Sequence, residues 1–244
     1  MHLKYKFIAV FFSQKEKNEC HYVLMATNTY YKNLSENNRG IFRIRTLLFL
    51  RTTGFNSEVG FLLKNNMKIL ISSAFVQITF GLNMMTLRTF NSIFVTPRSY
   101  SYLNNKAIFD GDVNLYTKKV NMSWPAIERG FDIPDDAMNL AIHEFGHCIF
   151  FENATRSFLF KIFKGRDFEV WKKEAVDALK RVQLRELKVL RDYAGTNSIE
   201  LFSVSLETFF EKPVYFERKE PNLYWSMAHL LKQDPRNTSD PILK

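Results

Sequence analysis

The chain reads as an α+β protein, and three observations predict it. Long stretches repeat their apolar residues at helical spacing, and a β-rich passage interrupts them between about residues 91 and 124. The residues richest in chemistry, "HEFGH" from His143 to His147, fall in a helical stretch directly after that passage. A small sheet packed on helices follows from this order.

The elements can be justified along the chain. Residues 1–28 hold no readable element and are expected to be an N-terminal extension. From Gly40 to Leu87 the text is helical in character, first "GIFRIRTLLFLRTTGF" and then "NNMKILISSAFVQITFGLNMM", whose continuous apolar run predicts burial. "NSIFVTP" predicts a short strand stopped by Pro97. "AIFDGDVNLYTKKVNMSW" predicts a hairpin turning at Asp110-Gly111-Asp112. The helix carrying the histidines is expected to open near Pro134, with Asp135 and Asp136 at the positive end of its dipole. An amphipathic helix then runs through "DFEVWKKEAVDALKRVQLRELKVLRDYA", with Val170, Ala178, Val182 and Leu190 on its apolar side. "SIELFSVSLETFFEKP", ended by Pro213, and "EPNLYWSMAHLLKQDP" complete the set. No repeat or Pro/Gly-rich linker divides the chain, so one domain is expected over 29–244.

Composition narrows the function classes. Of 244 residues 46% are hydrophobic and 15% aromatic, which allows a sizeable core and excludes disorder of the whole chain. The formal charge of +9 is spread without a block of like charges or an aromatic-basic motif, so a solvated surface is expected rather than a nucleic-acid site. Two cysteines, Cys20 and Cys148, are too few for a disulfide framework and fit a reducing, cytoplasmic setting. "FIAVFF" is shorter than an export-signal core, and no run of about 18 apolar residues predicts a membrane span.

The chemistry lies in the H-E-x-x-H pattern. Positions four apart on a helix share a face, so His143 and His147 can each offer a ring nitrogen to one ion at about 2.0–2.1 Å. Glu144 stands beside that face, where a general base could reach a water activated by zinc and direct it at a peptide carbonyl. A catalytic zinc needs a third protein ligand. The H-x-x-G-x-x-H extension fails, since Phe150 and Asn153 occupy its places. Glu152 is on the same helix at the wrong angle, His229 lies far downstream, and Glu174 and Glu186 sit among basic residues. Glu200 and Glu207 bracket the apolar "ELFSVSLE", where buried carboxylates would be costly unless paired or metal-bound. One could bind zinc and the other orient a histidine.

The blocks "NLAIHEFGHCIF", "DYAGTNSIELFSVSLETFFEKP" and "EPNLYWSMAHLLKQDP" resemble the Mlc titration factor A family of zinc-dependent peptidases, whose metal centre is similar to that of anthrax lethal factor. The resemblance runs well from Val113 to Pro235 and loosely before that. It implies a gluzincin-type (zincin-like) metallopeptidase domain over 29–244 holding one zinc ion per chain. His143, His147 and Glu200 would be its ligands, Glu144 the general base, Tyr193 a donor to the oxyanion and Glu207 an acid that orients a ligand histidine. It also implies peptide or protein substrates, cleaved by aminopeptidase or endopeptidase action, and a transcription-regulator partner. A regulatory binding protein that sequesters a repressor, with or without hydrolysis, is the competing reading.

Overall fold

Ser13 opens the first long helix by accepting from the Glu16 backbone N–H at 3.2 Å while the Glu16 carboxylate accepts from Ser13 N–H at 2.7 Å, a reciprocal cap. The computed structural model describes residues 3–102, 107–157 and 161–243. Among these, eleven α-helices surround one four-stranded sheet. The mixed α+β class expected from the sequence is what the chain adopts.

The stretch expected to be an extension contains α1 (Leu3–Ala9) and α2 (Gln14–Thr27). Cys20 and Leu24 of α2 are fully buried in the common core. A short α3 (Thr29–Asn33) leads into α4 (Glu36–Thr52), which packs on the central helix α5 (Asn65–Thr79). Every residue of α5 from Ile69 to Thr79 is buried, as a helix apolar on all sides requires. Its C-terminal carbonyls find an unusual partner in Arg45 of α4, 1% exposed. Its guanidinium donates to the carbonyls of Thr79, Phe80 and Met84 at 2.7–2.8 Å.

The sheet runs β1 (Gly54–Ser57), β2 (Ser92–Thr96), β4 (Lys119–Ser123), β3 (Gly111–Asn114) in spatial order. β1 and β4 lie parallel to β2, and β3 pairs antiparallel with β4, so β3 is an edge. Ile93, Val95, Val120 and Met122 point into the core with no exposed surface. β4 passes directly into α6 (Trp124–Asp132), and α7 (Leu140–Thr155) follows across the sheet. Phe145 of α7 packs edge-on against Phe49 and Phe75, which stack at 4.2 Å. The chain continues through α8 (Gly165–Gln183), a 3-10 turn (Asp192–Gly195), α9 (Ser198–Glu211), α10 (Pro213–Lys219) and α11 (Pro221–Leu231).

Several expectations need correction. The hairpin turns at residues 115–118, because Gly111 and Asp112 belong to β3. The histidine helix starts six residues later than Pro134: Ala137 takes a left-handed backbone, φ 64°, which breaks any helix there, and Asn139 caps the true start by accepting from Ile142 N–H at 3.2 Å. α8 ends at Gln183, with Arg185 turning the chain at φ 60°, so Leu190 is buried from a loop, and Val170 faces solvent. β1 and α6 are elements the pattern did not predict.

Candidate metal centre

α7 and α9 are the most closely packed helix pair, and glycine makes that possible. A Cβ on Gly146 would lie 2.7 Å from Ser203 Oγ and 2.9 Å from Leu206 Cδ1, so the missing side chain lets α9 approach the histidine face. Along α9 the residues Glu200, Ser203 and Glu207, at helical spacing, then meet that face.

His143 Nε2 and His147 Nε2 converge to 3.0 Å. Two ligands around a tetrahedral ion bound at about 2.05 Å span about 3.3 Å, so the pair is set near the separation a metal would need. Glu200 Oε2 sits 3.1 Å from His143 Nε2 and 3.5 Å from His147 Nε2, and no geometrically sound hydrogen bond satisfies that buried oxygen. The other ring nitrogens are held from behind. His143 Nδ1 is 3.0 Å from Glu207 Oε2, and His147 Nδ1 is 3.4 Å from Ser203 Oγ. With Nδ1 protonated and donating, each Nε2 lone pair faces the shared point. Glu207 is itself fixed, by Asn139 N–H at 2.8 Å and by the Arg191 guanidinium.

Glu144 shares the cluster: one ligand atom each from His143, Glu144 and His147 lies within 4.8 Å of the others. Two carboxylates, Glu144 and Glu200, therefore stand within reach of the imidazoles. They differ in setting. Glu200 straddles both Nε2 atoms, whereas Glu144 turns to the cleft, its Oε1 against β3, with Oε2 buried and unpartnered. A Cβ on Gly111 would sit 2.7 Å from Glu144 Oε1, so the glycine keeps room for that carboxylate.

Three acids crowd two imidazoles, and the field favours a cation. Burial alone would depress the His143 pKa, but Glu200 and Glu207 outweigh it and push it up to about 10. Burial lowers His147 to about 4, helped by its neighbour His143. Burial pushes Glu144 up to about 8. The donor set, two imidazoles and a carboxylate around a shared point lined by unsatisfied buried oxygens, fits a divalent metal ion.

Tyr193, in the 3-10 turn, is half exposed at the rim, its ring centroid 6.0 Å from that of His143. Burial and then the Glu200 carboxylate raise its phenol pKa. The cleft in front of Glu144 measures about 460 Å3, bounded by the β3 edge, α6 and Tyr193.

A model of the glucose-regulated metallo-peptidase M90 family matches residues 9–232. The chain belongs to that family. Among curated relatives, Mlc titration factor A of Cronobacter sakazakii is 25% identical over 140 residues, covering 54% of the chain and 52% of that protein. Its counterpart in Salmonella arizonae is 28% identical over 121 residues, 47% of each. An uncharacterised protein of Synechocystis is 22% identical over 210 residues, 80% of the chain and 76% of that relative. The chain thus spans about half the length of the Mlc titration factors it matches. M90 members are metallo-peptidases by description, and among the described residues the buried His143, Glu144 and His147 group could hold a metal ion.

Every residue singled out for the site, His143, Glu144, His147, Tyr193, Glu200 and Glu207, lies in or at the rim of this one cluster. Glu174, His229 and Glu186 lie away from it, on α8, α11 and the loop between α8 and the 3-10 turn respectively. Sequence reasoning did not find Arg191, Ser203, Asn139 or Gly111. Ser203 could have been found, since it shares the helical face of Glu200 and Glu207. The others come from distant segments and carry no spacing signal.

Among the described residues no helix is long and apolar enough to cross a membrane.

Proposed function

We propose that this M90 member is a zinc-dependent peptidase of the gluzincin type, with His143, His147 and Glu200 holding the ion, Glu144 as general base and Tyr193 as oxyanion donor. One observation carries the reading: Glu200 Oε2 bridges the converging Nε2 atoms at 3.1 and 3.5 Å while Glu207 holds the far side of His143. A bound zinc would acidify a water and polarise the peptide carbonyl. The chain's own groups do the rest. Glu144, its Oε2 unpartnered beside the imidazoles, accepts the proton of the attacking water and passes it to the leaving amine. The Tyr193 phenol, kept neutral by its raised pKa, donates to the developing oxyanion. Glu207 keeps the His143 ring in register and in the tautomer that frees Nε2. The machinery falls within 29–244, and two buried free cysteines suit a cytoplasmic protein.

The test is metal content by mass spectrometry on wild type, Glu200→Ala and Glu144→Gln, with hydrolysis of a fluorogenic peptide mixture on the same samples. The reading expects near one zinc per chain, lost with Glu200 and kept with Glu144→Gln, and hydrolysis lost in both. Full zinc in Glu200→Ala would move the third ligand to Glu144 or Glu207. A second reading rests on the relatives named Mlc titration factor A: the chain sequesters a transcriptional repressor. Repressor binding retained in Glu144→Gln would show that this role needs no hydrolysis.

A further inference from the structure

The charged groups around the cleft are almost all committed to neighbours. Asp110 accepts from Ser99 at 2.6 Å and from Ser123 at 3.2 Å. Asp112 accepts from Tyr100, from Tyr102 at 2.9 Å and from Asn121 at 3.1 Å. Arg191 is neutralised by Glu207.

Arg129 of α6 differs. Exposed on that helix, it lines the cleft that holds His143 and Glu144, and its side chain makes no hydrogen bond or ion pair among the described residues. Ala126, Met138 and Leu140 give the cleft an apolar wall around it. A guanidinium presents five donors in a planar fork that matches a carboxylate, and an apolar wall leading to it matches a short methylene stem.

We infer that Arg129 selects substrates bearing an acidic side chain, glutamate above all, in the subsite bounded by Ala126, Met138 and Leu140. The inference rests on the peptidase reading and names its substrate class. α6 is placed for this by the fold: it leaves β4 directly, and β4 carries the β3 edge that flanks Glu144. The same connection that sets the cleft wall therefore sets the distance between the selecting cation and the base.

The test uses C-terminally amidated peptides of one sequence, with Glu, Gln or Lys moved through the positions flanking the scissile bond. The zinc-loaded wild type, Arg129→Lys, Arg129→Ala and Arg129→Glu chains are compared for kcat and KM. At one position Glu is expected to exceed Gln about tenfold in kcat/KM, mainly through KM, as for a charge-assisted hydrogen bond. The ratio should fall to about one in Arg129→Ala, persist in Arg129→Lys, and invert toward Lys in Arg129→Glu. A ratio that is the same in all four chains overturns the inference and leaves the peptidase reading standing. If the zinc-loaded wild type cleaves nothing, the peptidase reading fails, and fluorescence anisotropy of labelled Glu and Gln peptides on Glu144→Gln decides the role of Arg129 alone. Tighter Glu binding that Arg129→Ala removes supports it, and equal binding of the two peptides overturns it.

Discussion

Glu144 and Glu152 lie about two turns apart on α7, both buried, and their surroundings are opposite. Glu152 is saturated: Oε1 accepts from Arg88 N–H at 2.6 Å and Thr89 N–H at 2.7 Å, and Oε2 pairs with Arg156 at 2.5 Å. Glu144 keeps one oxygen without a partner, and burial pushes its carboxyl up to about 8. A buried acid that pins a loop spends all its lone pairs, while one meant for chemistry leaves a lone pair and a proton affinity unused. Counting acids on a helix does not separate them, but counting their hydrogen bonds does.

The contrast can be broken at either end. The largest effect expected is from Glu144→Gln, which should lower kcat by about 10³-fold, within the usual range for a general base, with zinc content and melting temperature unchanged. Glu152→Ala should do the reverse. It leaves two backbone N–H groups and the Arg156 guanidinium without their acceptor, costing about 3 kcal/mol, or roughly 10 °C in melting temperature, at normal activity per folded molecule. Gly111→Ala sharpens the active end: its Cβ presses on Glu144 Oε1, and kcat should fall about tenfold with one zinc still bound, a loss of about 1.4 kcal/mol in the transition state.

A half-buried acid, Glu211, gives the smallest effect and a pH signature. Burial pushes Glu211 up to about 8, so the folded chain holds a proton that the unfolded chain releases near 4.5. The stability this lends is full below about pH 4.5 and is lost as pH rises through about 8. Glu211→Gln keeps an acceptor for Met138 N–H and should raise the melting temperature by about 3 °C at pH 8, the gain shrinking toward pH 5, as read by calorimetry across that range.

The parts of the fold that were legible are those whose signal is local. α5, α9 and α11 announce themselves by apolar period, and β2 by its β-branched run and Pro97. β1 was hidden because four residues, alternately exposed and half-buried, pair in parallel with a strand nearly forty positions away. Asp110-Gly111-Asp112 looks like a turn, yet its glycine answers a side chain of α7 rather than a reversal of the chain. Pro134, Asp135 and Asp136 look like a helix start until Ala137 takes a left-handed backbone and hands the cap to Asn139. At the site, residue types with rare chemistry at fixed spacing could be read directly. Arg191, Asn139 and Arg129 could not, because their roles arise only where separate segments meet.

Gly146 carries a consequence for the ion itself. The reach from Glu200 to the two imidazoles is fixed by how closely two main chains approach at a point where no ligand stands. Affinity for a metal held there would then be a property of helix spacing as much as of donor chemistry. Widening that gap by a few tenths of an ångström, with every ligand intact, would surface in competition against a chelator before it surfaced in a melting curve.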